Sequence, residues 1–180
     1  MKRKRLEAAA EYLREKAGGD VDCAIVLGSG FGSALRDRVD GTTISYRKID
    51  GMPQPSVVGH AGEAHIGTLH GRRVVAFSGR FHLYEGRATA EVIYPILAAA
   101  RAGAKTFVLT NAAGGLDPEY RAGDLMLIAD QLNLTGTSPL IGTEMLPGQG
   151  VRFVDMADAY APHLRQLARH IAGEYSIVLH

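Results

Sequence analysis

Residues 78–86 combine several side chains that could take part in chemistry, in the order Ser-Gly-Arg-Phe-His-Leu-Tyr-Glu-Gly. Arg80, His82 and Tyr84 alternate along this segment and place a guanidinium, an imidazole and a phenol close together. A guanidinium grips phosphate oxygens in a fork, so this set suits a substrate that carries or uses phosphate and has a sugar attached. The alternative interpretation is a surface loop whose charges, including that of Glu85, pair with each other.

The apolar run of residues 74–77 leads directly into this segment and reads as a strand. Sheets of α/β proteins bind ligands at the ends of their strands, which is where the polar side chains would lie. If the chain stays extended beyond the strand, Phe81 and Leu83 point into the core and the polar side chains share the opposite side.

A glycine-rich turn, residues 28–32, offers a second candidate contact for phosphate. It follows a predicted buried strand, residues 23–27, and its backbone N–H groups and the Ser29 hydroxyl could converge on an anion. Asp50 lies about where a dinucleotide-binding protein places its ribose-binding carboxylate. The spacing G-x-G-x-G and the short helical pattern at residues 34–37 argue against a nicotinamide or flavin site.

Two further features resemble ligand contacts. Small residues at 111–115 follow a predicted strand at 106–110, which would let the backbone approach a ligand closely. His60 lies between glycines in a loop, and His65 and His70 follow at regular spacing. No cysteine or carboxylate cluster accompanies these histidines, so we expect no metal site.

The elements that would position these residues alternate between helices and strands. Besides those above, hydrophobic periodicity and the positions of glycines predict a first helix that ends at Gly18 and Gly19, a strand at residues 44–49, and a hairpin at 63–69 and 73–77. A helix is predicted at 89–102, which Pro95 kinks or delays, followed by a loop at 132–150. A helix at 156–172, which Pro162 interrupts, and a strand at 176–179 complete the prediction.

Composition indicates an ordinary globular protein. The chain has 180 residues, 46% of them hydrophobic and 22% charged, with a net charge of +1, so neither nucleic acid nor a membrane surface is indicated as a partner. One cysteine, Cys23, excludes an internal disulfide and fits a reducing cytoplasm. The charged residues that follow Met1 argue against a secretory signal.

Because the sequence stops at a short apolar strand with nothing to cover it, we expect one domain, residues 1–180, that is incomplete at its C-terminal end.

Several motifs occur together in the order typical of the trimeric purine nucleoside phosphorylases, which the chain resembles from about Cys23 to its last residue. They are the glycine turn at 28–32, Gly-His-Ala-Gly at 59–62, the segment 79–86, Thr-Asn-Ala-Ala-Gly-Gly at 110–115, Gly-Asp-Leu-Met-Leu-Ile at 123–128, and residues 151–160. The resemblance implies an α/β fold with a mixed twisted sheet flanked by helices.

The resemblance also implies an activity: reversible phosphorolysis of purine ribonucleosides or deoxyribonucleosides to free base and pentose 1-phosphate. It implies a homotrimer without metal or organic cofactor, with inorganic phosphate as co-substrate, and Arg80 and His82 as catalytic residues. By position the remaining contacts would be Ser29, His60, Phe81 and Ala112 with phosphate, Tyr84 and a neighbouring subunit's Phe153 with ribose, and Ala113 and Gly114 with the base.

The chain departs from the family pattern in ways that affect function. The glutamate and asparagine that grip the purine, and a serine that completes the phosphate site, would follow Leu179, and Glu85 does not match them. Ser78 stands where glutamine is common, and Arg87 where an aromatic residue often occurs. The alternative function is therefore an inactive truncated family member with a phosphate- and ribose-binding half-site, and we expect the isolated 180-residue chain to be weakly active and unstable.

Overall fold

The computed structural model describes residues 3–32, 34–54, 62–141 and 154–180. His60 and Phe153 of the predicted site lie outside these ranges. The chain divides into two units, the first reaching Ala113 and the second beginning at Gly114, and each is described by itself. A single domain over the whole chain stays a prediction.

The first unit is built on a five-stranded sheet with the order β2-β3-β4-β1-β5. β1 runs parallel to β4 and β5, whereas β3 runs antiparallel to β2 and β4. The predicted mixed sheet is confirmed. The strands are β1 Cys23–Leu27, β2 Asp40–Ser45, β3 Glu63–Leu69, β4 Arg72–Ser78 and β5 Thr106–Leu109.

Helices cover this sheet and supply much of its core. They are α1 Arg3–Ala17, α2 Thr89–Val92 and α3 Tyr94–Arg101. Leu6 and Leu13 of α1 are buried, as their helical spacing predicts. Pro95 lies in the first turn of α3, where its missing N–H costs no hydrogen bond. The single helix predicted at residues 89–102 is therefore divided into α2 and α3.

The described residues of the second unit include one helix, α4 Pro162–Glu174. Elsewhere in this unit Leu125 and Leu179 form an isolated parallel bridge, and the Leu127 N–H donates to the His180 carbonyl at 2.8 Å. In the part of the chain that the structure describes, no helix is long and apolar enough to cross a membrane.

Other predicted elements also differ from those observed. The strand expected at residues 176–179 is reduced to an isolated bridge at Leu179. The strand expected at residues 44–49 ends at Ser45, where a 3₁₀ helix at Tyr46–Lys48 begins. Residues 34–37 form turns rather than a helix. The helix expected from residue 156 begins at Pro162, since proline fits a first turn and breaks a helix interior.

Candidate active site at the carboxyl edge of the sheet

Parallel strands β4, β1 and β5 end at one edge of the sheet. Leu27 pairs with Ser78, and Val26 pairs with Leu109, so the connections that follow these strands emerge side by side. Neighbouring strands lie about 4.8 Å apart. The register thus brings Ser29, the segment 79–86 and residues 110–113 to the same edge.

The ends of β1 and β5 are held together by one threonine. The Gly28 N–H donates to Thr110 Oγ1 at 2.8 Å, and that hydroxyl donates to the Val26 carbonyl at 3.1 Å. A Cβ atom at Gly28 would lie 2.3 Å from the Thr110 carbonyl oxygen. Glycine is therefore required for this close approach. Ser29, the next residue, is exposed.

Tyr46 contacts the start of segment 79–86 through both its hydroxyl and its ring. Its hydroxyl donates to the Gly79 carbonyl at 2.6 Å, and its ring centroid lies 5.9 Å from that of Phe81. Burial raises the pKa of the Tyr46 hydroxyl well above its ordinary value, so the group stays a neutral donor. Neither periodicity nor composition marks Tyr46 as a support for this site.

Up to His82, the side chains of segment 79–86 alternate between the core and the opposite side, as predicted. Phe81 is buried, with 2% of its surface exposed, so any phosphate contact it makes would come from its backbone. The His82 and Tyr84 rings stack with centroids 4.6 Å apart, and Arg80 is half-buried. The His82 and Tyr84 side chains therefore lie together.

The expectation that Leu83 points into the core is wrong. Its side chain is 38% exposed, because Leu83–Glu85 form a 3₁₀ helix rather than an extended segment. Gly86 ends that helix in the left-handed region, with φ of 77°. The strand-like alternation therefore stops after His82.

Glu85 is a supporting residue whose role the sequence interpretation did not identify. Its side chain is 3% exposed, and Oε1 accepts from the His82 N–H at 2.8 Å and lies 2.9 Å from His82 Nδ1. Oε2 accepts from Arg87 Nε at 3.1 Å. The spacing His-x-x-Glu, which resembles a capping box, was the available signal. The alternative interpretation of this segment was a surface loop whose charges pair with each other. The pairing is observed in part, because Glu85 contacts His82 and Arg87.

The remaining predicted residues are less enclosed. Ala112 and Ala113 are exposed beyond β5, as is Gly114 at the start of the second unit.

His65 is buried in β3, where its Nδ1 lies 2.8 Å from Thr43 Oγ1. Within the described ranges, no group of three or more histidine, cysteine, aspartate or glutamate side chains could hold a metal ion.

Comparison with known proteins decides the family. The model of the phosphorylase superfamily matches residues 22–180. The chain belongs to this superfamily. Within it, the chain is 39% identical to purine nucleoside phosphorylase 1 of Bacillus subtilis over 173 residues, which cover 96% of this chain and 64% of that protein. It is 43% identical to the purine nucleoside phosphorylase of Mycobacterium tuberculosis over 163 residues, which cover 89% and 58%.

Solved structures of the phosphorylase superfamily agree with the fold described above. Isoform 2 of the Schistosoma mansoni purine nucleoside phosphorylase, in complex with cytosine and ribose-1-phosphate, matches with a TM-score of 0.87 and 32% identity, over 99% of this chain and 64% of that one. The resemblance drawn from the sequence motifs is confirmed. The chain spans 64% and 58% of the length of the two curated relatives above.

Proposed function

We propose that the protein catalyses the reversible phosphorolysis of purine nucleosides to free base and pentose 1-phosphate. The observation that carries the proposal is the convergence of the glycine turn, segment 79–86 and residues 110–113 at one sheet edge. It occurs in a chain 39–43% identical to proteins named purine nucleoside phosphorylase. A related structure that contains ribose-1-phosphate supports a phosphorylated pentose as product.

The proposed reaction begins with phosphate bound beneath the sugar. Arg80 supplies a fork for two phosphate oxygens, while Ser29 and the backbone of the glycine turn donate further hydrogen bonds without adding charge. Because the Glu85 carboxylate can only accept, His82 Nδ1 donates to it, and we infer that Nε2 faces the phosphate. Fixed donors of this kind need no reorganisation during the reaction.

The bond change follows from this arrangement. A phosphate oxygen attacks C1′ as the bond from C1′ to the purine nitrogen breaks, and the electron pair of that bond leaves with the base. The sugar gains cationic character, so the anionic phosphate beneath it is both nucleophile and electrostatic stabiliser. The purine, which leaves with that electron pair, takes up a proton from solvent to give the free base.

The proposal extends to the finer assignments made from the sequence. Tyr84, and Phe153 from a neighbouring subunit of a homotrimer, would contact ribose, and the backbone at Ala113 and Gly114 would lie against the base. His60 would join the phosphate contacts. The reaction would run in the cytoplasm with inorganic phosphate as co-substrate and without a metal or organic cofactor.

The test compares phosphate and nucleoside requirements in the protein expressed from its complete reading frame. Arg80→Ala should raise the KM for phosphate by about tenfold or more, because a charge-assisted pair of hydrogen bonds is lost. The KM for inosine should change far less. Arg72→Ala is the matched control, since Arg72 is exposed at the opposite end of β4.

Two outcomes would contradict parts of this proposal. Equal increases in both KM values would remove Arg80 from the phosphate site. Absence of phosphate-dependent base release from inosine and guanosine by the unmodified protein would instead favour the non-catalytic alternative.

A further inference from the structure

Arg87 directly follows segment 79–86, which contains the candidate phosphate ligands Arg80 and His82, and its side chain is only 17% exposed. Its Nε donates to Glu85 Oε2 at 3.1 Å, and its guanidinium also donates to the Gln54 carbonyl oxygen. The guanidinium carbon lies 5.1 Å from the centroid of the Phe81 ring, and one terminal nitrogen lies 3.6 Å from Glu91 Oε1. Arg87 thus joins the 3₁₀ turn, the helix α2 and the connection that follows Met52.

The Glu85 carboxylate divides its two oxygens between Arg87 and His82. Oε1 faces the backbone and ring nitrogens of His82, at 2.8 and 2.9 Å, whereas Oε2 faces Arg87. With 3% of the Glu85 side chain exposed, its negative charge has lost most of its water and needs a fixed positive partner. An arginine side chain stays charged throughout the accessible pH range and supplies that partner.

An aromatic side chain at this position could cover Phe81 but could not balance the charge of Glu85. Arginine does both, since its guanidinium lies over the Phe81 ring and donates to the carboxylate. The departure from the family pattern at Arg87 therefore has a specific consequence in this chain.

We propose that Arg87 is a positioning residue of the phosphate site. Acting through Glu85, it holds the His82 ring with Nδ1–H toward the carboxylate and Nε2 toward the substrate phosphate. This inference rests on the proposed phosphorolysis. It assigns to Arg87 no contact with either substrate.

The test uses Arg87→Gln and Arg87→Lys in the protein expressed from its complete reading frame, with Arg72→Gln as matched control. The glutamine variant should raise the KM for phosphate by about tenfold, since a hydrogen bond to a charged group is lost. Its KM for inosine should change by less than about twofold. The lysine variant keeps the charge without the fork and should fall between glutamine and arginine.

A second measurement separates positioning from general support of the fold. The ¹⁵N NMR signals of the His82 ring should report a single tautomer, protonated at Nδ1, in the unmodified protein and a mixture of tautomers in Arg87→Gln. If the glutamine variant does not fold, the lysine variant decides the question by the same two readouts.

The outcomes are distinct. A selective rise in the phosphate KM with a changed His82 signal supports the proposal. Equal changes in both KM values, a lysine variant no better than glutamine, or an unchanged His82 signal overturns it while leaving phosphorolysis in place. An unmodified protein without phosphate-dependent activity overturns the proposed function and this inference together.

Discussion

The Ser78 hydroxyl donates a hydrogen bond to the Gly32 carbonyl oxygen at 2.8 Å. Ser78 is the last residue of β4 and is 2% exposed, whereas Gly32 closes the glycine turn that follows β1. This single bond therefore joins two candidate phosphate-binding connections.

Ser78→Ala should weaken the link between these connections. We expect the free energy of unfolding to fall by about 1 kcal/mol, because the partly exposed Gly32 carbonyl can rebond to water. The KM for phosphate should rise several-fold, since the glycine turn that carries Ser29 loses its link to the end of β4. Denaturant unfolding and steady-state kinetics measure the two effects.

A suitable control for this substitution is Ser45→Ala, which removes a hydroxyl whose contact with the Arg47 N–H is long, at 3.4 Å. It should leave the KM for phosphate unchanged. A Ser78→Ala protein with unaltered phosphate KM would show that the bond to Gly32 does not position the glycine turn.

Gly28→Ala should separate the ends of β1 and β5. The added Cβ would lie 2.3 Å from the Thr110 carbonyl oxygen and 2.9 Å from the Asn111 Cα, so backbone atoms must move. We expect a loss of about 2–3 kcal/mol in unfolding free energy, as for other overpacked substitutions. Gly173→Ala, where a Cβ in α4 would meet nothing within 4 Å, should be neutral or stabilising by comparison. Equal stabilities of the two variants would contradict the contact at Gly28.

His65 should make the first unit sensitive to acid. Burial lowers the pKa of this imidazole below its ordinary value of 6.5, with Arg36 acting in the same direction and Glu63 and Asp37 opposing it. Its Nε2 is buried and has no hydrogen-bond partner among the described residues. The folded protein therefore disfavours the protonated ring.

The sign of the effect follows from proton linkage. Above pH 6.5 the ring is neutral in both states and contributes no pH dependence. As pH falls below 6.5, the unfolded chain takes up the proton first, and stability declines by up to about 1.4 kcal/mol per pH unit until the lowered pKa is reached.

Urea unfolding at several values between pH 7.5 and about pH 5 measures this slope. His65→Gln, which can still hydrogen-bond Thr43, should flatten the profile. His70→Asn is the control, because asparagine tolerates the positive φ of 49° at this exposed turn residue. An unchanged slope in His65→Gln would exclude His65 as its source.

Local patterns predicted much of the scaffold. The apolar run at Cys23–Leu27 and the β3–β4 hairpin are found as expected, because burial and turn chemistry act over a few residues. The location of Ser29 and segment 79–86 at the same edge could also be predicted, since parallel strands of α/β sheets end at a common edge.

The contacts that support the candidate site could not be predicted from local sequence patterns. Tyr46 reaches Gly79, Ser78 reaches Gly32, and Thr110 reaches Gly28 across long sequence separations. Such pairs depend on strand register and on which loop packs beneath which, and neither is encoded in hydrophobic periodicity. Glu85 and Arg87 were close in sequence to the site, but their roles required knowing that the carboxylate is buried.

The hairpin turn between β3 and β4 lies at the end of the sheet remote from the candidate site. His70 and Gly71 are exposed there, and β4 extends over seven residues from this turn to Ser78, a span of roughly 20 Å. A fluorophore, affinity tag or surface tether inserted between these two residues would therefore sit far from bound phosphate. The turn offers an attachment point for immobilised assays that leaves the reacting edge open to substrate.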